Sequence, residues 1–263
     1  MDFRAMMALE PHGPDTFVAS GPRYPWGGLY GGQIVAQALR AAALTVDPPY
    51  RLHSLHAYFI RQGDAAEPIR LEVDRIRNGR SFVTRRVVAR QSIGAILNMS
   101  SSFQVPEAAV DVQTETMPDV PPPESLPRDT WSEIIDRRLL PHDLGPGRVG
   151  AWVRLAEDLG DDPVLHACAL AYLSDDLPTD AVVARHPDRP PPGTVDRPFW
   201  NASLDHAIWF LRPSRADAWH LHDFTCRGLV GTRGLSVGAI LDRDGRHVAT
   251  VSQEVLIRPR RAP

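Results

Sequence analysis

Residues 31–42 read Gly-Gly-Gln-Ile-Val-Ala-Gln-Ala-Leu-Arg-Ala-Ala. Within this stretch the apolar residues recur at the spacing of one helix face, namely Ile34, Val35, Ala38, Leu39 and Ala42. The pattern predicts a helix that opens at the two glycines and stops at Asp47-Pro48-Pro49, because proline cannot continue a helix. An apolar helix face must be buried against another element, so the segments that follow decide the fold.

Four strand-like segments follow this helix. They are rich in Val, Ile, Phe, Tyr and Ser and cover Leu52–Arg61, Ile69–Arg77, Phe82–Gln91 and Ala95–Val105. Asn78-Gly79, between the second and third segments, is a strong hairpin-turn signal. The first half is therefore predicted to be a helix packed on an antiparallel sheet.

The second half repeats this order. Asp162 is a plausible N-cap for a helix that has Pro163 at its first position. Another hairpin turn is indicated at Asp244-Gly245. The predicted strands are Ala151–Leu155, Ser203–Leu211, Trp219–Arg227, Leu235–Leu241 and Val248–Ile257.

An internal repeat supports the two-copy interpretation. His56–Arg61 matches Ala207–Arg212 at an offset of roughly 150 positions, which indicates two copies of one domain rather than a solenoid. We expect an α+β double hotdog, in which each unit is a long helix wrapped by a curved antiparallel sheet. The predicted boundaries are an N-terminal unit 1–105, a Pro-rich linker 106–130 and a C-terminal unit 131–263.

Composition narrows the function classes. The chain has 263 residues, is 43% hydrophobic and has a net charge of −3, which allows a sizeable core and argues against a nucleic-acid binder. It contains no lysine, so Schiff-base chemistry, a P-loop lysine and a Ser–Lys dyad are excluded. Without a run of about 18 apolar residues or an apolar leader, we expect no membrane span and a cytoplasmic location.

Motifs along nearly the whole chain resemble the acyl-CoA thioesterase II family. They are Gly31–Leu39, His53–Phe59, Arg61–Asp64, Asn78–Phe82, Ser101–Gln104, Ser203–His206, Trp209-Phe210, Arg233–Leu235, Asp242–Gly245 and Ser252–Glu254. The resemblance implies a double-hotdog fold. It also implies hydrolysis of an acyl-CoA partner to fatty acid and coenzyme A by an activated water, without a covalent intermediate or a cofactor.

The same resemblance implies the catalytic residues. In the family an Asp, a Gln and a Thr or Ser hold the attacking water, and the first two carry over to Asp205 and Gln253. The hydroxyl position falls at Cys226–Arg227, where neither side chain has a hydroxyl. Thr225 is the nearest hydroxyl and would share a face with Arg227 in a regular strand.

The glycine-rich helix start suggests an oxyanion site. Gly31, Gly32 and Gln33 open the first helix, where bare N–H groups and the helix dipole favour negative charge. The second helix begins with an acid and a proline, so its start is a poor oxyanion site. The two halves are therefore predicted to be unequal, with catalytic side chains from the second and the glycines from the first.

Alternative interpretations stay open at this stage. Asp205 could pair with Arg212, and Gln253 could be an exposed strand residue. Thr225 could be present only because threonine favours strands, and the glycines could form an ordinary turn. A missing hydroxyl would suit an acyl-CoA-binding protein with little turnover. A hotdog enoyl-thioester hydratase is disfavoured because its Asp-to-His spacing of five would place a histidine where Phe210 stands.

The remaining metal, cysteine and assembly possibilities carry less weight. The histidines have no ligand-like acidic or cysteine cluster beside them, so no metal is expected. Cys168 and Cys226 do not suggest a disulfide framework, and Cys226 lacks an evident base for a nucleophilic role. Assembly into a homo-oligomer is left open.

Overall fold

The computed structural model describes residues 1–141, 144–189, 191 and 198–260. Residues 190, 192 and 193 of the Pro-rich stretch 187–193, which the sequence predicts to be a loop, lie outside the described residues. The elements of the N-terminal half are α1 Phe3–Met6, β1 Glu10–Pro11, β2 Thr16–Ala19, α2 Gly31–Ala43, β3 Arg51–Phe59, β4 Ile69–Asn78, β5 Phe82–Gln91 and β6 Gly94–Gln104.

The C-terminal half repeats the pattern of helix and long strands. Its elements are β7 Ile135–Leu139, β8 Arg148–Leu155, α3 Pro163–Ser174, α4 Pro178–Arg185, β9 Phe199–Ser203, β10 Asp205–Phe210, β11 His220–Val230, β12 Arg233–Asp242 and β13 His247–Pro259. Asp162 caps α3 as predicted, accepting hydrogen bonds from the N–H groups of Val164 and Leu165. The predicted strand over 203–211 is broken at Leu204 into β9 and β10.

All the strands form one antiparallel sheet. Its order is β1-β2-β4-β5-β6-β3-β10-β13-β12-β11-β8-β7, with β9 also paired to β13. The two halves join where β3 pairs with β10, with Leu55 opposite Ile208. From that junction outward both halves run through the same sequence of strands, which is the structural form of the internal repeat.

The helices pack on one face of the sheet and on each other. α2 contacts strands of the first half, α4 contacts strands of the second, and α2 also packs against α3. Val35 of α2, Leu170 of α3 and the paired Leu55 and Ile208 belong to one buried core that extends through both halves. In the described part of the chain, no helix is long and apolar enough to cross a membrane.

The linker lies along the sheet surface of the C-terminal half. The backbone over 106–122 has no helix or strand, and a single 3₁₀ turn follows at Pro123–Ser125. The Gln113 side chain bonds the backbone at both Gly245 and His247, and the Trp152 indole donates to the Pro121 carbonyl. These contacts hold the segment 106–125 against the sheet of the C-terminal half.

Candidate active site

The first turn of α2 meets the last turn of α3 beside a cavity of about 590 Å³. The Tyr30 hydroxyl donates to the Tyr172 carbonyl at 2.9 Å, which ties the two helix ends together. A Cβ at Gly32 would collide with that same carbonyl oxygen, and a Cβ at Gly31 would lie 2.6 Å from Asp175 Oδ2. The two glycines therefore allow the helix ends to approach closely enough to form the cavity wall.

Asp175 is the carboxylate at this junction. It is the C-cap residue of α3 and is only 7% exposed. Its Oδ2 accepts from the Gly32 N–H at 2.8 Å, and its Oδ1 accepts from the Ser203 hydroxyl at 3.2 Å. Burial raises the pKa of Asp175 to about 7, although hydrogen bonds from Ser203, Gln253 and Gly32 pull it downward.

Ser203 and Gln253 extend the contact chain from Asp175. Ser203 is the last residue of β9, and Gln253 is fully buried in β13. The Gln253 Nε2 amide donates to Ser203 Oγ at 2.8 Å. A buried acid with a pKa near neutrality, a hydroxyl and an amide are thus linked in one network, and together they can orient a water molecule and accept its proton.

The structure does not bring Asp205 to this network, contrary to the expected grouping. Ser203 pairs with Val255 whereas Ala207 pairs with Ser252, so the register shifts by one residue at Leu204. The shift turns Asp205 to the opposite face of the sheet from Ser203 and Gln253. There, the half-buried Asp205 accepts from the Glu254 N–H at 2.6 Å.

The structure also separates Thr225 from Gln253. Thr225 pairs with Val237, which pairs with Ser252, so Thr225 lies on the face opposite to Gln253. The assumption of a regular strand fails at Arg227, since the pairing of β11 with β12 jumps from Cys226 to Gly228. Thr225 therefore does not meet Gln253 in the structure, whereas the Ser203 hydroxyl does.

Of the three residues predicted at the start of α2, Gly31 and Gly32 lie at the candidate site and Gln33 does not. Gly31 lines the cavity, and the Gly32 N–H is donated to Asp175, so both glycines meet the same network as Gln253. The Gln33 side chain does not reach the cavity; it is buried, and its amide donates to Gln37 Oε1 at 3.2 Å. The predicted substrate contact of Gln33 is therefore not seen.

Asp175 and Ser203 were not predicted from the sequence, although a sequence feature points to each of them. Asp175 and Asp176 stand together at a helix C-terminus, where the dipole disfavours negative charge, so a compensating environment is implied. Asp176 is held by the Arg137 guanidinium at 2.9 Å and by the Trp131 indole N–H at 2.6 Å. Ser203 lies in the same short motif as Asp205 and was overlooked in its favour.

Aromatic side chains form one wall of the cavity. Trp131 packs edge-on against Tyr30 and Trp26, with ring centroids 5.0 and 5.1 Å apart. Trp26 is 45% exposed at the opening, and Arg61 and Arg260 also line the cavity. An apolar wall beside a buried acid, with cationic side chains nearby, suits a substrate that has an apolar chain and an anionic head.

The fold is of the hotdog type. A solved structure from Alicyclobacillus acidocaldarius, described as having a hot dog fold, superposes with a TM-score of 0.82 at 21% identity, covering 99% of this chain and 98% of that one. An acyl-CoA thioesterase II from Mycobacterium marinum superposes with a TM-score of 0.87 at 39% identity, covering 100% of both chains.

Sequence comparisons agree with the structural ones. Family models described as the N-terminal and C-terminal domains of acyl-CoA thioesterase match residues 20–104 and 112–257. Acyl-CoA thioesterase 2 of Haemophilus influenzae is 35% identical, covering 88% of this chain and 87% of that protein. Human acyl-coenzyme A thioesterase 8 is 32% identical, covering 96% and 88%. The chain belongs to the acyl-CoA thioesterase II family and is a thioester hydrolase.

Proposed function

We propose that Asp175, Ser203 and Gln253 hold and activate the water that hydrolyses an acyl-CoA thioester. The observation that carries this proposal is the buried carboxylate of Asp175, hydrogen-bonded at once to the start of α2 and to the Ser203 hydroxyl. Its pKa of about 7 suits a base that is ionised near neutral pH and that gains from taking a proton.

The proposed reaction is a direct attack by water. The water oxygen bonds to the thioester carbonyl carbon while one water proton passes to the Asp175 carboxylate. Negative charge that develops on the carbonyl oxygen is stabilised by the positive dipole end of α2 near Gly31. The carbon–sulfur bond then breaks, and the coenzyme A thiolate takes the proton from Asp175 as the carboxylic acid product forms.

A covalent serine intermediate is less compatible with these contacts. Among the described residues, Ser203 Oγ hydrogen-bonds the Asp175 carboxylate and the Gln253 amide, and no imidazole contacts it. The usual activated serine relies on a neighbouring base that is oriented by a third group. Ser203 is instead placed to share the orientation of a water with Gln253.

We further infer that the two halves are tandem hotdog units, 1–105 and 131–263, joined by the linker 106–130. The internal repeat and the matching strand order on either side of the junction between β3 and β10 support this division. A cytoplasmic location stays a prediction from the sequence.

The decisive experiment compares Asp175→Asn with Asp205→Asn, following coenzyme A release with a thiol reagent. We expect Asp175→Asn to lower kcat at least about a hundredfold, the scale for losing a general base. Asp205→Asn is the matched control and should stay within about threefold of the wild type, because its side chain lies on the opposite face. Normal turnover by folded Asp175→Asn, with loss in Asp205→Asn, would reverse the assignment.

Unfolding measurements guard against a trivial loss of structure. The pKa of Asp175 is raised from 3.8 to about 7, so the folded state binds this proton more tightly than the unfolded state and stability falls as pH rises between these values. At pH 8 the ionised carboxylate therefore costs about 4 kcal/mol at most. Asp175→Asn removes that cost and should unfold no earlier than the wild type at this pH.

The same assay separates the alternative functions. Release of coenzyme A identifies a hydrolase, hydration of an enoyl thioester without release identifies a hydratase, and tight binding with neither identifies a binding protein. Repeating the assay over a series of acyl chain lengths would define the preferred substrate.

A further inference from the structure

Gln253 belongs to a buried polar chain that continues beyond the three proposed site residues. Its Oε1 atom is hydrogen-bonded to His206 Nδ1, and His206 Nε2 lies 2.9 Å from the Ser174 hydroxyl oxygen. Gln253, His206 and Ser174 all have no exposed surface. The chain connects β13, β10 and the last turn of α3, and Asp175 directly follows Ser174.

The proton positions in this chain follow from its end at Asp175. An ionised carboxylate only accepts, so Ser203 must give its single hydroxyl proton to Asp175. Ser203 Oγ then accepts from Gln253, which requires the Nε2 end of the amide to face the serine. The Oε1 end of Gln253 consequently faces His206 and needs a donor there.

His206 meets that need in one tautomer only. With its proton on Nδ1, His206 donates to Gln253, and its bare Nε2 accepts from the Ser174 hydroxyl. The Ser174 oxygen also lies 3.0 Å from the Ala171 carbonyl, but its one proton goes to His206 in this arrangement. Burial lowers the pKa of His206 to about 4, so the imidazole is neutral near pH 7. A neutral imidazole has one donor nitrogen and one acceptor nitrogen, which matches these two contacts.

We propose that His206, oriented by Ser174, is a positioning residue that fixes the Gln253 amide with its N–H groups toward Ser203 and the attacking water. This inference rests on the proposed roles of Asp175, Ser203 and Gln253. Without the His206 donor the amide can turn over and present Oε1 to Ser203. The serine proton then points at Gln253 instead of Asp175, and the network that holds the water is lost.

The test compares substitutions that keep or remove the donor. His206→Leu removes it and should lower kcat about tenfold to a hundredfold with KM within about threefold. His206→Asn places an amide N–H near the position of Nδ1 and should recover kcat to within about threefold of the wild type. The control is His222→Leu, because His222 is equally buried, lies on β11 away from the site and should keep wild-type kcat.

The pH profile supplies a readout that a purely structural role would not move. The hydrogen bond from Ser203 lowers the pKa of Asp175, so turning the serine proton toward Gln253 should raise that pKa. The acidic limb of the kcat profile should therefore move to higher pH in His206→Leu and return in His206→Asn. Equal losses in both His206 variants, or an unmoved limb in His206→Leu, would overturn the proposal.

Two further comparisons cover the cases in which His206→Leu does not fold or the proposed function itself fails. If His206→Leu does not fold, Ser174→Ala removes only one hydroxyl and should lower kcat severalfold, whereas wild-type kcat in Ser174→Ala would overturn the role of this hydrogen-bonded chain. Failure of the underlying function is separately visible, since it would leave turnover intact in Asp175→Asn. Loss in Asp175→Asn with full activity in folded His206→Leu would reject the positioning role alone.

Discussion

The Asp175 carboxyl group lies where two opposing influences meet. Burial at the end of α3 disfavours its charge, and the adjacent Asp176 adds to this effect. The Gly32 N–H and the Ser203 hydroxyl favour the ionised form, because both donate to the carboxylate. The outcome is a pKa of about 7, so that the group can accept and return a proton near neutral pH.

Ser203 tests the contribution of the hydroxyl. Ser203→Ala removes the donor to Asp175 and the acceptor of the Gln253 amide, and should lower kcat about tenfold to a hundredfold, equivalent to about one to three kcal/mol in the transition state. Ser203→Thr keeps the hydroxyl and should retain most of the turnover. Steady-state coenzyme A release measures both, and equal activity of the alanine and threonine variants would contradict the role.

Only part of this site follows from the residues alone. Gln253 and the glycines at the start of α2 were identified because they occur in recognisable motifs. Asp205 was assigned from the family resemblance, which implied that it lies beside Gln253. The one-residue register shift at Leu204 reverses this expectation, and such a shift depends on cross-strand pairing that local sequence does not specify.

At the scale of elements, the close approach of α2 to α3 forms the site. A Cβ at Gly32 would clash with the Tyr172 backbone carbonyl and lie 2.6 Å from the Tyr30 ring. Neither neighbour moves easily, because Tyr30 and Tyr172 are themselves joined by a hydrogen bond and both are buried. The position therefore requires glycine despite its low helix propensity.

Gly32→Ala should consequently destabilise the protein. Alanine gains about 1 kcal/mol in helix propensity, but overpacking against a fixed backbone costs about 1–3 kcal/mol and displaces the N–H that bonds Asp175. We expect a lower free energy of unfolding and a reduced kcat, measured by denaturant titration and by coenzyme A release.

Gly228→Ala provides the control for that comparison. A Cβ at Gly228 in β11 would meet nothing within 4 Å, so this variant should match the wild type in both measurements. Wild-type stability and turnover in Gly32→Ala would contradict the account of the helix contact.

Helices and hairpins were easier to predict than strand registers. The start of α2 at Gly31, the cap of α3 by Asp162 and the turn between β4 and β5 each depend on a few adjacent residues. The short elements α1, β1, β2, β7, α4 and nearly all of β9 were missed because runs this short carry little periodicity. The bulge at Arg227 depends on contacts between strands, and it breaks the regular alternation by which Thr225 and Arg227 were expected to share a face.

At the scale of the whole molecule, two similar halves produce two different helix junctions. The start of α2 has Gly31 and faces Asp175 at the end of α3. At the opposite junction, α3 begins with Pro163, which lacks an N–H, and α2 ends with Leu44 as its C-cap. The C-cap at this end therefore has no carboxylate, and Asp162 already accepts from the N–H groups at the start of α3. This difference agrees with the inequality of the halves predicted from the sequence.

The internal repeat predicted the matching halves but not how they join. Pairing of β3 with β10 merges the two sheets, and this contact has no local sequence signature. It places His206 and Gln253 of the second half close to the glycines of the first. The site thus depends on the whole chain, although most of its polar side chains come from one half.

The central claim, that buried Asp175 is the base, is tested most directly by the pH dependence of kcat/KM. An acyl-pantetheine substrate is preferable, because the phosphate groups of coenzyme A also titrate near pH 6. As pH rises through about 7, Asp175 loses its proton and becomes able to accept one, so kcat/KM should rise with a midpoint near 7 in both the wild type and Asp205→Asn. A midpoint near 4, or one that disappears in Asp205→Asn, would contradict the account.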